Sequence, residues 1–344
     1  MLSLAVSIRD VAKSAGVSVS TVSRALNGYT DVNEKTRKKI QITAQRLGYI
    51  PNRSAKNLSS KSQKNIAIII SNISKEDMVD EFVGNILWGI YAYANQRKET
   101  LATYVISSEM QKDKTLEEMC NEYSLSGILV FGMRLDDPYL YEIKDINIPC
   151  VSIDTKICGK NVTTIATNEE DAFEEIVDYV FDMGHREIVL IEGRDEAEVT
   201  HKRKKGFERS AIKHGIDINK IEKYKCNFLE EEAFINTKTY IEKNQNTKGT
   251  VFVCMSDLMA LGVIRAVKEC GYSIPEDFSV TGYDGLYILK YVKPGLTTLN
   301  QNIREKGYVG IKTLYKMLHE NNVSDTIYVP YKVRIRESVG RIDI

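Results

Sequence analysis

From residue 66 onward the chain is punctuated by short, mainly apolar runs: Ile66–Ile70, Gly127–Phe131, Cys150–Ile153, Ile188–Ile191, Val251–Cys254 and Phe278–Thr281. Each has the length of a strand, and stretches of helical period lie between them. Phe173, Ile176, Val177, Val180 and Phe181 share one helical face, and Leu258, Leu261, Ile264 and Val267 share another. Strands without polar alternation, separated by amphipathic helices, predict a parallel sheet covered on both faces. About ten such elements exceed one ordinary core, so two α/β lobes are expected. A late helix, Ile303 to Glu320, precedes strand material at Ile327–Arg336.

The charge is uneven. The 344 residues sum to zero, but residues 1–64 hold twelve Lys/Arg against three Asp/Glu, a net +9, and the rest carry 35 against 44, a net −9. A small basic module joined to a larger acidic one has the charge footprint of a nucleic-acid binder with a separate regulatory body.

The basic head predicts three short helices. Ser7-Ile-Arg-Asp10 has the capping-box pattern, with the Ser7 hydroxyl and the Asp10 carboxylate each serving an orphan amide. The first helix is expected to run to about Ala15, with Gly16 as the turn. Ser18 caps a second through Leu26, ended by Asn27-Gly28. Asn33 caps a third, whose buried stripe is Thr36, Ile40, Thr43, Ala44 and Leu47, closed by Gly48. Helix, glycine turn, helix is the helix-turn-helix arrangement, whose second helix enters the major groove. On its outer side Arg24 suits bidentate pairing with guanine, Ser20 can bond several bases, and Val19 offers apolar contact to a thymine methyl. Ser18, Thr21, Ser23 and Asn27 are short polar groups suited to phosphate oxygens.

The run from Ile8 to Asn27, IRDVAKSAGVSVSTVSRALN, resembles the head of the LacI/GalR transcriptional regulators, and Thr36-Arg-Lys-Lys-Ile and Leu47-Gly-Tyr-Ile-Pro-Asn52 continue the likeness. It extends through Gly184-His185-Arg186, Arg203-Lys-Lys-Gly-Phe207, Ser256-Asp-Leu-Met-Ala-Leu-Gly262, Ile274-Pro-Glu-Asp277, Gly282-Tyr-Asp284 and Leu296-Thr-Thr-Leu299. The resemblance implies a small all-α helix-turn-helix head joined by a hinge to an α/β body of two lobes, periplasmic-binding-protein-like with parallel sheets. The expected boundaries are 6–51 for the head, 52–64 for the hinge and linker, and 65–344 for the body. Within the body, lobe 1 is expected at about 65–164 and 297–328, and lobe 2 at about 165–296 and 329–344.

The resemblance adds Ser7, Ile8 and Thr36 to the expected DNA contacts, and makes Asn52–Ser60 a hinge that becomes helical on operator DNA. Nine mostly polar residues are too few for a stable isolated helix, which agrees with folding coupled to binding. Asn52 opens that hinge, Ala55 is small enough for close approach to the groove floor, and Leu58 matches the family's minor-groove wedge. Each head reads one half-site, so the partner is double-stranded operator DNA of near-palindromic sequence, bound by a homodimer or a tetramer built of dimers. Asn95 matches the helix used at the subunit interface.

The body is expected to bind a small effector between its lobes, at the carboxyl ends of the strands. By the family's pattern Arg203 and Asp284 are the cleft's arginine and carboxylate, a combination suited to vicinal hydroxyls. Asp154, Ser256 and Asp257 follow strands, Phe228 stands where an aromatic platform is found, and Gln301 adds an amide. A turn role for Asp284, a core role for Phe228 and a surface role for Gln301 stay open. The chain departs from the family where Ser256 replaces an asparagine, where Val199 replaces a polar contact, and in the acidic loop Ser71–Phe82. The effector is expected to be a sugar or sugar phosphate, with a nucleobase or a phosphoprotein co-repressor as alternatives.

Catalysis has no support. The chain lacks G-x-G-x-x-G, G-x-x-x-x-G-K-[ST] and G-x-S-x-G, and its four histidines, at 185, 201, 214 and 319, have no paired-ligand spacing. No catalytic residue, metal or cofactor is expected. Six cysteines without a C-x-x-C pair read as free thiols in a reducing compartment. The longest aliphatic run, Ile66–Ile70, is far below the roughly 20 residues of a membrane span, and Leu2–Val6 lacks the features of a secretory leader. The expectation is a cytoplasmic protein, not a sugar-transport receptor.

Overall fold

Caps set the limits of the three head helices. A computed structural model describes residues 6–26, 29, 31–49, 65–71, 81–244, 250–320 and 325–342. Helix α1 (Ile8–Ala15) starts where the Asp10 carboxylate accepts from the Ser7 N–H at 2.9 Å and from the Ser7 hydroxyl at 2.7 Å. It ends at Gly16, whose φ of +67° a side chain would resist. Helix α2 (Val19–Leu26) follows Ser18, whose Oγ accepts from the Thr21 N–H at 3.1 Å. Helix α3 (Glu34–Leu47) follows Asn33, whose side chain accepts from the Lys35 N–H at 2.8 Å. Val11, Ala15, Val22, Ala25 and Ile40 close a core small enough to be filled by short side chains. Of the predicted α3 stripe, Ile40, Thr43 and Ala44 are buried, while Thr36 and Leu47 are half-buried.

The chain divides into two compact units, 1–64 and 65–344. The second contains two sheets. One takes β1 (Asn65–Ser71), β2 (Ala102–Ile106), β3 (Leu125–Phe131), β4 (Cys150–Ile153), β5 (Val162–Ala166) and β11 (Thr326–Tyr328), in the order β11-β5-β4-β3-β1-β2, all parallel. The other takes β6 (Ile188–Glu192), β7 (Glu222–Lys225), β8 (Thr250–Cys254), β9 (Phe278–Asp284), β10 (Thr297–Asn300) and β12 (Lys332–Arg334), in the order β12-β10-β9-β8-β6-β7. Its pairs are parallel except β10–β12, so the edge beside β10 is antiparallel.

Lobe 1 carries α4 (Glu81–Gln96), α5 (Ser108–Asp113), α6 (Leu116–Glu122), α7 (Pro138–Glu142) and the late helix α12 (Ile303–Met317). Lobe 2 carries α8 (Glu169–Asp182), α9 (Glu198–Lys213), α10 (Glu230–Lys243) and α11 (Asp257–Glu269). Glycines permit close helix pairing: a Cβ at Gly307 of α12 would stand 2.1 Å from the Ile86 carbonyl oxygen of α4. The chain crosses between lobes after β5, after β10 and between β11 and β12. Two crossings fall a few residues later than the sequence suggests. Val162–Ala166 completes the first sheet beyond residue 164, and Thr297–Asn300 pairs with β9 and so belongs to lobe 2.

The predicted α8 stripe is buried throughout. On α11 the inward face is Met259, Ala260, Val263, Ile264 and Val267, whereas Leu258 and Leu261 are only partly covered. The correction follows from position: Leu258 lies on the first turn, beside the inter-lobe opening, and lines it.

Candidate functional site

The head presents Ser18, Val19, Ser20 and Arg24 to solvent, with Val19 42% exposed despite its apolar side chain. Thr21 and Ser23 are half-buried on the same helix. The Ser18 hydroxyl is 2.7 Å from both the Ser20 and Thr21 hydroxyls, so these three polar groups form one cluster at the start of α2. Arg24 Nη2 is 2.9 Å from Asp31 Oδ2, a partner the sequence did not single out. Ser7 is exposed with its hydroxyl committed to Asp10, and Ile8 is partly packed on the head core rather than fully presented. Thr36 is half-buried. Asn27, Asn52, Ala55 and Leu58 lie outside the described residues.

In the body, the strand ends build a cleft of about 190 Å³ between the lobes. Asp154 follows β4, Gly193 and Arg194 follow β6, Ser256 follows β8, and Asp284 ends β9, as ligand sites outside carboxyl strand ends require. Both rims are tied across the lobes. On one, the Leu135 N–H donates to the Glu196 carbonyl at 2.8 Å and the Lys156 N–H to the Glu198 carboxylate at 2.6 Å. On the other, the Glu81 carboxylate accepts from the Tyr287 N–H at 2.7 Å and the Ile288 N–H at 3.2 Å.

Three cleft residues have left-handed backbone without being glycine: Asp154 at φ +65°, Phe228 at +65° and Asp284 at +123°. Such conformations cost on the order of 1–3 kcal/mol each and concentrate at ligand sites, where the surroundings hold them. The Phe228 ring lies directly against Gly193, where a Cβ would be 2.1 Å from the ring's Cζ. Glycine there leaves room for the ring tip, which any side chain would displace. Phe82, Val83, Phe131, Ile153 and Leu258 supply more apolar lining, with Val199 among them in place of a polar contact.

Arg203 lines the cleft but is nearly buried. Its Nε donates to Glu169 Oε2 at 2.8 Å, its Nη1 donates to the Met255 carbonyl, and its Cζ sits 3.8 Å from the centroid of the Tyr283 ring. The Tyr283 hydroxyl donates to the same Glu169 oxygen at 2.8 Å. Burial opposes charge on both partners, yet their mutual attraction wins: Glu169 is held below the usual carboxylate range and Arg203 above the usual arginine value. Arg203 is therefore an anchored donor with limited reach.

Lys306 joins this network. It is fully buried on α12, with its ammonium 2.6 Å from Asp154 Oδ1 and 3.8 Å from Glu169 Oε1, and it also donates to the Gln301 side-chain oxygen. Gln301 in turn donates to Asp284 Oδ1 at 2.6 Å. Burial pushes the Asp154 carboxyl up despite Lys306 beside it.

Two expected effector contacts do not reach the cleft. Asp257 is wholly buried, accepting from the Thr298 hydroxyl at 2.5 Å and the Leu286 N–H at 2.8 Å, and burial pushes its carboxyl up to about 7. At the first position of α11 its side chain points back into lobe 2, and Ser256, one residue earlier, caps the helix through the Met259 N–H at 3.2 Å. Gln301 is wholly buried and is spent on Asp284 and Lys306, so it acts behind the cleft wall and not on the surface. Sequence reasoning passed over Glu169, Tyr283 and Lys306. Only Lys306 left a signal, since it falls three residues after Ile303 and five before Ile311, on the buried stripe of its helix. Asn95 is exposed on α4.

A model of the bacterial regulatory proteins of the lacI family matches residues 7–52, and one of a periplasmic binding protein-like domain matches residues 177–339. Catabolite control protein A of Priestia megaterium is 28% identical over 337 residues, 97% of this chain and 99% of that protein. A probable HTH-type transcriptional repressor ExuR of Bacillus subtilis (strain 168) is 29% identical over 340 residues, 98% and 99% of the two chains. Among solved structures, a lac repressor dimer bound to operator and the anti-inducer ONPF is similar with a TM-score of 0.84 at 24% identity, covering 98% of this chain and 100% of that one.

Proposed function

The chain belongs to the lacI family of bacterial regulatory proteins, as a DNA-binding transcriptional regulator with an effector-binding body and not an enzyme, and from there we propose that it represses a carbohydrate-utilisation operon in the cytoplasm as a homodimer on a near-palindromic operator. The α2 face reads base edges through Arg24, Ser20 and Val19, with Ser18, Thr21 and Ser23 on phosphates. Two chains place their hinges side by side, and the paired Leu58 wedges kink the central step. The lac repressor structure, described as a dimer on operator, supports that assembly by analogy of fold. Among the described residues, no helix is long and apolar enough to cross a membrane.

The effector is an uncharged, hydroxyl-rich molecule of about monosaccharide size. One observation carries this: the cleft lining is charge-balanced, with Arg134, Arg194 and Arg203 against Asp154, Glu198 and Asp284. Most of these are engaged inside the protein, Arg134 with Asp136 at 2.9 Å, Arg203 with Glu169, Asp154 with Lys306 and Glu198 with Lys202 at 2.7 Å. Arg194 donates to the Asn227 carbonyl at 3.2 Å and lies 5.9 Å from the Phe228 ring centroid, so a phosphate would lose its hydration in a small cleft whose arginines already have protein partners. A sugar ring fits better, with its apolar face on Phe228 and hydroxyls toward Asp154, Ser256 and Asp284. An effector that favours one lobe closure shifts operator affinity by its differential binding, typically about 1–3 kcal/mol.

The test is a thermal-shift series on the full chain with neutral monosaccharides, phosphosugars and nucleobases. A ligand at about a hundred times its dissociation constant adds roughly 2.7 kcal/mol of stability. A selective shift with a neutral sugar supports the reading. A shift confined to phosphosugars or nucleobases would reverse the charge argument, and a flat series would point to a protein co-repressor.

A further inference from the structure

Asp31 is one of three acidic residues among the first 64, and its carboxylate stands against the exposed side of α2. A negative group there works against the approach of phosphates, so its position needs a physical reason. The Asp31 Oδ2–Arg24 Nη2 distance is 2.9 Å with both side chains about half exposed. The residues around Asp31 are themselves held. Arg37 of α3 donates through Nη2 to the Tyr29 carbonyl at 2.5 Å and the Val32 carbonyl at 3.3 Å, and Asn33 caps α3 directly afterwards. Tyr29 adds a second contact, with its ring centroid 5.9 Å from Arg24 Cζ.

We propose that Asp31 is a positioning residue that decides how selectively Arg24 reads DNA. The proposal rests on the reading of Arg24 as the base-contacting arginine. An unrestrained arginine samples many rotamers and can settle on the nearest phosphate, a contact without sequence information. Asp31 pairs with the Nη2 end of the Arg24 guanidinium, and the planar fork can still present donors to the O6 and N7 acceptors of a guanine. Because the pair has no net charge, its attraction to phosphate is weak, while its directional donors remain. As an exposed pair it adds little to the stability of the free head. On DNA, where water is displaced, the same contact strengthens.

Binding-site selection from a pool of randomised near-palindromes, with the full-length chain, tests this. Asp31→Asn is expected to bind random DNA more tightly, with a salt slope steeper by about one, and to lose about three- to tenfold of its preference at the half-site position that Arg24→Ala also flattens. Asp31→Glu is expected to recover most of that preference. If Arg24→Ala flattens a position and Asp31→Asn leaves it intact, the positioning role is overturned while the reading of Arg24 survives. If Arg24→Ala flattens no position, both fail. Should Asp31→Asn lower the helical content of the head, Asp31→Ser replaces it, and loss of helix in both variants, or in Asp31→Glu, would assign Asp31 to folding and overturn the proposal.

Discussion

The Lys306 ammonium lies 2.6 Å from the Asp154 carboxylate, although the two are 152 residues apart. Asp154 follows β4 in lobe 1, Glu169 opens α8 in lobe 2, and Lys306 reaches both from the first turn of α12, just after the second crossing between the lobes. A lysine with no exposed surface is tolerated only because two carboxylates and an amide surround it.

Removing that cation should be costly. Lys306→Met leaves Asp154 and Glu169 facing each other without it, and the expected loss is about 3–5 kcal/mol, the usual effect of breaking a buried pair from one side. Lys306→Met with Asp154→Asn should recover part of the loss, because the unpaired charge is gone. Urea unfolding of the full chain measures both; equal stability of the single variant and the wild type would mean the pair is not formed in solution.

Asp257 makes stability depend on pH in an unusual sense. Burial raises its folded value to about 7 from an ordinary 3.8. A raised carboxyl binds its proton more tightly in the folded state, so this stabilisation is present below about pH 4 and is lost as pH rises to about 7. The size is at most about 4 kcal/mol from roughly three units. Asp257→Asn resembles the protonated form, and the difference between variant and wild-type unfolding free energies should change across pH 4–7 and level off above. A difference independent of pH would show that Asp257 titrates normally.

Gly193→Ala should damage the cleft selectively. The new methyl would overlap the Phe228 ring, which must shift from its place on the cleft wall. The stabilisation conferred by the neutral sugar that shifts the wild type should fall at least tenfold in apparent affinity, about 1.4 kcal/mol, while operator affinity without ligand is kept. Unchanged sugar binding would remove Phe228 from the site.

Leu58→Ser tests the hinge expectation drawn from the family resemblance. The polar side chain cannot pry open a base step, so DNA bending, read as end-to-end distance by fluorescence transfer, should disappear while the chain still dimerises. Retained bending would place the wedge elsewhere.

Strand legibility followed burial. Ile66–Ile70 and Val251–Cys254 read as strands because their runs are continuously apolar, and they are. Ala102–Ile106 and Glu222–Lys225 escaped notice because they are sheet edges with exposed side chains, so no apolar run marks them. Val162–Ala166 is buried at every position, but its two threonines hide it among polar segments. Asp154, Arg203, Phe228, Ser256 and Asp284, expected from strand ends and the family pattern, all line the cleft, whereas Asp257 and Gln301, expected on the same grounds, face away.

By itself the sequence determined the head's helices and caps, the alternation of strand and helix, and the split of charge between head and body. These depend on residues within one or two turns of each other, or on simple sums. Only the tertiary structure decided that Arg203 is tied to Glu169 instead of being left to the ligand, that Lys306 closes a network across the lobe boundary, and that Asp31 holds Arg24. Such pairs depend on where whole elements pack and on which way a side chain turns at a strand end. Neither is a local property of the chain.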